Sequence, residues 1–266
     1  MPHEIILEAE EILDKEFKVL NHGFVRLVDY MGGDRRIVQS ARVSYGSGEK
    51  TPEEDKKLIN YLMKNLHTTP FEKVRFEFHI KAPIFCARQW IRHRMSSTNE
   101  ISGRYSVMKD EFFVPELEDM RPQSKSNKQS RDESNDLSIE TKQSILEQMQ
   151  NEHSFAYANY EDYIGDGLAK ELARVNLPLS LFTEWYWTID LHNLFHFIRL
   201  RVDPHAQKEI RLYGEVIAKM VKAVCPVAYD AFEEHIHFGK RLSRTEYDEL
   251  MTYKRFYDAR IDVADG

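Results

Sequence analysis

Apolar and polar residues alternate from Phe24 to Tyr30, and Gly32-Gly33 follows, which predicts a strand closed by a turn. Asp34 then caps a predicted helix running to Arg42. Thr51-Pro52-Glu53-Glu54 combines a hydroxyl cap, a first-turn proline and acids that suit the positive end of a helix dipole. Leu58, Tyr61, Leu62 and Leu66 continue that segment at three- and four-residue steps. The strictest alternation, Val74 to Ile80, predicts a second strand. Pro83 opens a helix carrying Ile84, Ala87, Trp90 and Ile91, whose period brings Gln89, Arg92 and His93 onto one broad face.

Beyond that helix, Ser96 to Ser106 reads as turn-prone and Phe112 to Val114 as a short strand. Residues 120–136 are almost wholly polar, which predicts a solvated, mobile loop rather than a linker, since neither flank makes a complete core alone. A long helix is expected over Ile139–Tyr163 and a shorter one over Leu168–Val175, stopped before Pro178. Leu181–Ile189 is aromatic and extended. Helices over Asp190–Arg199 and His205–Val224 lead to a charged, helical C-terminus. There are no internal repeats. The pattern predicts a single α+β domain: a small mixed or antiparallel sheet packed with helices.

Composition narrows the classes. The chain has 266 residues, 42% hydrophobic and 30% charged, so it can bury a core without disulfides or a metal, and it is neither collagen-like nor disordered. With 37 Lys+Arg against 44 Asp+Glu the net charge is −7, which excludes a general polyanion-binding surface and with it a nucleic-acid partner. Any anion site must be local. Cys86 and Cys225 lie far apart in apolar stretches and read as buried free thiols of a reducing compartment. The acidic N-terminus carries no secretory signal, and the most apolar windows, 84–91 and 177–187, are too short or too interrupted to cross a bilayer. The expectation is a cytoplasmic protein with no membrane partner.

Against this acidic background, residues 88–104 hold Arg88, Arg92, His93, Arg94 and Arg104 with a single acid, Glu100. Guanidinium forks bind phosphate bidentately, and backbone N–H groups in a Ser/Asn/Gly-rich turn form anion nests, so this stretch is a candidate phosphate site. Ser102 within Glu100-Ile-Ser-Gly-Arg104 is a candidate nucleophile with His93 as base, but the nucleophile elbow is absent and ligand contact is the better reading. His192 and His196 stand one helical turn apart near Asp190, Asp203 and His205; they suit either zinc or the lining of a cleft, and cleft lining is favoured, with no metal expected. Arg174, Arg199 and Arg201, each taken alone, read as structural. No Gly-x-Gly-x-x-Gly lies between a strand and a helix and no phosphate-binding lysine loop exists, so any dinucleotide must be held in a non-Rossmann manner.

Arg92-His93-Arg94, seven residues and then Ser102 resembles the signature of the flavin-dependent thymidylate synthases. Gln89-Trp-Ile-Arg-His-Arg94, Asn99 to Tyr105, Thr69-Pro-Phe-Glu72, Arg174-Val-Asn-Leu-Pro178, and Leu200-Arg201 with His205-Ala-Gln207 extend the match in the family's order, from about residue 20 to about 235. The 120–136 segment and the tail from about 241 to 266 fall outside it.

The resemblance implies conversion of dUMP to dTMP, with methylenetetrahydrofolate as one-carbon donor and NADPH as reductant through FAD. It implies that Gln89, Arg92, Glu100, Ser102, Gly103 and Arg104 hold dUMP, with Arg174 reaching the phosphate from a neighbouring subunit of a homotetramer. Arg201 would sit against uracil as the catalytic residue and stabilise charge as N3 ionises. FAD would contact Thr69, Arg92, His93, Arg94, Glu100, His192 and His196. Some members carry Asn-x-Arg and a later Asn where this chain has Asp190-Leu-His192 and His196. Asp190 is therefore either a flavin contact or the cap of the next helix. His67 and Tyr105 are candidate folate neighbours.

Overall fold

The computed structural model describes residues 4–44, 50–125 and 130–264. Its first half is built from α1 (Leu7–Glu10), β1 (Glu16–Val19), β2 (Gly23–Met31), α2 (Asp34–Ala41), α3 (Pro52–Lys64), β3 (Arg75–Pro83), α4 (Ile84–Trp90) and β4 (Ser96–Glu100). The second half carries α5 (Ile139–Gly165), α6 (Lys170–Ala173), β5 (Phe182–Asp190), α7 (Leu191–Arg201), α8 (Lys208–Val224), α9 (Pro226–Phe232) and α10 (Arg244–Ala264), with a π-helical turn at Glu233–His237. This is the α+β architecture the pattern predicts.

The five strands form one sheet in the order β1-β2-β3-β5-β4, and every pair is antiparallel. Among the described residues there is no parallel β-α-β unit of the Rossmann kind. Val25 and Leu27 of β2, Phe76, Phe78 and Ile80 of β3, and Trp185, Trp187 and Ile189 of β5 turn to the buried face. Helices α7 and α8 pack there, α8 through Ile210, Tyr213, Ile217 and Val221 at helical spacing. The opposite face carries a polar ladder in which Arg26 donates to Nδ1 of His79 at 2.8 Å, while Nε2 of His79 meets Glu184 at 2.8 Å.

Capping chemistry sets the helix starts. Thr51 Oγ1 accepts from the Glu54 amide at 3.3 Å and the Glu54 carboxylate accepts from the Thr51 amide at 3.0 Å, a complete capping box. Asp34 does not cap α2 as expected: the N-cap is Gly33, with no side-chain cap bond, and the Asp34 carboxylate instead accepts from the amides of Val227 and Ala228 at 2.8 Å each, capping α9 nearly two hundred residues on. Burial outweighs these two bonds and pushes its carboxyl up to about 6.

Three further expectations are corrected. Ser96–Glu100 is not a turn but the edge strand β4, paired with β5 from Ser96↔Ile189 to Glu100↔Trp185. It has no apolar residue to alternate, so only the partner reveals it. Phe112–Val114 is not a strand; it contributes a single bridge, Phe112↔Leu181. The helix expected over 168–175 is one turn of α6 followed by a 3-10 turn, Arg174–Asn176. In the 120–136 segment, residues 126–129 lie outside the described residues; the rest pairs Gln123 with Arg131 and anchors Arg131 on Glu209.

Candidate functional site

Trp90 explains where the arginine-rich stretch goes. Its ring meets Trp185 and Trp187 at 5.3 Å each and Phe197 at 4.7 Å, fully inside the core. With that ring pinned, and the chain required at Ser96 to pair with β5, α4 stops at Trp90. Arg92 and His93 therefore lie in the turn beyond the helix, not on one face of it. The turn sends His93 inward, 4.9 Å from the Phe197 ring, and leaves Arg92 and Arg94 exposed.

Inward-pointing His93 meets Arg201, at the end of α7. Arg201 Nε donates to His93 Nε2 at 3.2 Å, and Arg201 Nη2 donates to the Gln89 carbonyl at 3.0 Å. Burial, then the charge of Arg201, then His196 push the His93 imidazole down to about 4. It is thus neutral and, toward Arg201, an acceptor, since a guanidinium can only donate. Burial and the neighbouring Arg92 lower the Arg201 pKa from the usual arginine range. His196, 5.7 Å from His93 between ring centres, is likewise lowered by burial and by Arg199.

A second group forms around Gly103. Gly103 is buried under the Arg174 side chain: a Cβ there would stand 2.9 Å from Arg174 Cδ and 3.1 Å from Met108 Sδ. Arg174 thus lies directly over Gly103 of its own chain. Arg104 pairs with Glu171 at 3.1 Å, and its amide donates to Ser102 Oγ at 3.3 Å. Glu100 accepts from Thr183 Oγ1 at 2.5 Å. Ser102 makes no bond to His93, whose Nε2 is held by Arg201, so the nucleophile–base pairing has no geometry behind it. Among the described residues no hydrogen bond joins this group to that of Gln89, His93 and Arg201.

Beside His196 opens a cavity of about 280 Å³. Leu62, Met63, Phe71 and Phe195 make its apolar floor; His67, His192, His196, Arg199 and Arg241 supply polar groups at its walls. Thr68 lines it, whereas Thr69 is exposed in the turn before Phe71. Asp190 takes the capping role: Oδ1 accepts from the Asn193 amide at 3.0 Å and Oδ2 from the Asn193 side chain at 2.8 Å. Among the described residues no three His, Cys, Asp or Glu side chains converge as metal ligands. Arg88, Arg92, Arg94, Arg174 and Arg199 form no ion pair among the described residues, so this region offers cations with no acid of its own to neutralise them.

Sequence reasoning left out Thr68, Phe195 and Arg241 of the cavity, the Glu171 partner of Arg104 and the Thr183 partner of Glu100. None carries a local signal: each is brought in by a fold contact. Arg199, read as a structural residue, lines the cavity and forms no ion pair among the described residues.

Comparison with known proteins fits this geometry. A solved UMP/dUMP methylase, PolB from Streptomyces cacaoi bound with 5-Br dUMP, superposes with a TM-score of 0.74 at 30% identity over 82% of this chain and 97% of that one. By fold the chain stands with the pyrimidine nucleotide methylases. The sequence model of the family described as "Thymidylate synthase complementing protein" matches residues 26–227. A flavin-dependent thymidylate synthase from Treponema denticola is 55% identical over 238 residues, covering 90% of this chain and 89% of that protein. Another, from Thermus thermophilus, is 56% identical over 232 residues, covering 87% and 83%. The chain belongs to the flavin-dependent thymidylate synthase family, a family of enzymes.

Proposed function

We propose that this protein methylates dUMP to dTMP, with methylenetetrahydrofolate giving the one-carbon unit and NADPH the reducing equivalents through FAD. The observation that carries this reading is the half-buried Arg201 guanidinium, fixed at two points by His93 and the Gln89 carbonyl. Uracil accumulates negative charge when N3 ionises, and a cation already held in place stabilises that charge without reorganising. Arginine keeps its proton, so Arg201 polarises the base rather than transferring a proton to it. Gln89, Arg92, Glu100, Ser102, Gly103 and Arg104 hold the nucleotide, and Arg174 meets its phosphate.

The cavity residues suit a flavin. An apolar floor would take a planar ring, His196 at the wall and the remaining ring N–H of His93 would meet its polar edge, and arginines that form no ion pair among the described residues would suit a pyrophosphate. At about 280 Å³ the cavity has room for one ring system rather than a whole dinucleotide, so exposed Arg92 and Arg94 would serve the charged remainder. Thr69, Arg92, His93, Arg94, Glu100, His192 and His196 are the residues that would hold it, with Asp190 acting through the start of α7. When bound, the flavin supplies the hydride; the chain supplies position and charge.

The protein acts as a cytoplasmic homotetramer with shared sites. Supporting this, large apolar side chains stand exposed around the arginine-rich turn, Met95 at 70% and Tyr105 at 76%. Arg241, at the start of the tail outside the motif blocks, touches the cavity.

A visible spectrum of the purified protein tests the reading. Bound flavin absorbance that shifts on adding dUMP is expected. A protein that takes up no FAD, or whose flavin is indifferent to dUMP, would refute it.

A further inference from the structure

Arg131 belongs to the polar 120–136 segment, outside every block of the family resemblance, yet its guanidinium grips a carboxylate that the rest of the chain buries. Glu209, in the first turn of α8, is 2% exposed. Its Oε1 accepts from Arg131 Nη2, and its Oε2 accepts from Gln207 Nε2 at 2.8 Å. The other Arg131 nitrogen lies 3.6 Å from Asp119, which also takes the Lys208 ammonium at 2.5 Å.

A carboxylate only accepts hydrogen bonds, so Gln207 has to turn its amide nitrogen toward Glu209 and its carbonyl away. That carbonyl accepts from Gln89 Nε2 at 2.6 Å. The sense of both amides thus follows from the charge at one end of the row. Gln89 is left presenting its carbonyl Oε1 and its second N–H, while its main-chain carbonyl holds Arg201.

We infer that Arg131 and Glu209 are positioning residues for the nucleotide: their ion pair orders the Gln207–Gln89 relay and fixes which hydrogen-bonding face Gln89 shows to dUMP. This rests on the proposal that Gln89 borders the nucleotide. Without Arg131 on Oε1, Glu209 is no longer held where Oε2 receives the Gln207 amide, and the two amides then lose their fixed sense.

The test uses the flavin-loaded full chain, with dUMP affinity from flavin absorbance, KM and kcat from turnover, and a thermal melt. Arg131→Met and Gln207→Leu are each expected to raise the dUMP Kd and KM roughly 3- to 10-fold, with kcat at saturating dUMP within about twofold. Glu209→Gln is expected to do the same, and adding Arg131→Met to it to cost no further affinity, because the pair is already gone. Gln207 is exposed, so its substitution reads the relay without threatening the fold. If Arg131→Met and Gln207→Leu lower only the melting temperature, or change nothing, the inference is overturned. Gln89→Ala separates it from its parent: affinity lost there with Gln207→Leu silent ends the relay alone, whereas unchanged affinity removes Gln89 from the nucleotide site and the relay's purpose with it.

Discussion

Arg201 and His93 lock one another: the guanidinium donates from Nε to the imidazole Nε2 at 3.2 Å, and its charge helps keep that imidazole unprotonated. The pair lies 108 residues apart in sequence and is brought together by the turn after Trp90 and the end of α7.

Replacing Arg201 with Ala removes the fixed cation but little of the core. The expected variant is folded and flavin-bound, with kcat reduced at least about 100-fold, the scale of losing a preorganised charge at a developing anion. Absorbance of the purified variant checks flavin retention and steady-state turnover checks the loss; unchanged kcat would remove Arg201 from its role.

His93 is expected not to titrate between pH 5 and 8. In the unfolded chain an imidazole titrates near 6.5, in the fold near 4, so between those values the unfolded state binds more protons. The stability this group contributes is therefore complete above about 6.5 and is lost as pH falls through about 4. An NMR titration of the His93 ring protons, assigned with His93→Gln, checks it; an inflection near pH 6.5 would contradict the lock.

Gly103→Ala forces Arg174 to move, because the new methyl would stand 2.9 Å from its Cδ. The expected result is dUMP affinity lowered roughly 10-fold with the melting temperature little changed, approaching the roughly 10- to 100-fold loss expected of Arg174→Ala. Isothermal titration of both variants decides. Normal binding by Gly103→Ala would separate the two residues functionally.

Asp34 makes a prediction of the opposite pH sign. Its carboxyl titrates near 3.8 when unfolded and about 6 when folded, so in that interval the folded chain binds more protons. Its contribution is complete below the lower value and is lost as pH rises through the upper one. Relative to wild type, Asp34→Asn should therefore gain up to about 3 kcal/mol between pH 4 and pH 7, read from urea unfolding at each pH. A pH-independent difference would refute the shift.

Much of the scaffold is legible in the sequence because it obeys local rules. Alternation marks β2 and β3, and the Thr51 capping box marks the start of α3. The cap reading of Asp190 is likewise local, since donor and acceptor stand three residues apart. β4 escapes because an edge strand of Ser96, Ser97, Thr98, Asn99 and Glu100 has no apolar face, and its hydrogen bonds go to a segment some ninety residues later. The helix face assigned to Gln89, Arg92 and His93 fails because periodicity cannot see that Trp90 is clamped from the sheet side. The ordered motif blocks name residues that the fold gathers into two groups; that division, and Arg174 lying over Gly103, depend on tertiary contacts that no spacing encodes.

The aromatic clamp around Trp90 has an optical consequence. The chain's three tryptophans, Trp90, Trp185 and Trp187, are all in that one cluster, and Phe197 touches both the Trp90 ring and the ring of His93. Tryptophan emission from this protein therefore originates in one cluster, beside the turn that carries Arg92 and His93. A yellow chromophore settling there would absorb that emission, so dimming of the native indole glow counts loaded molecules without any added label.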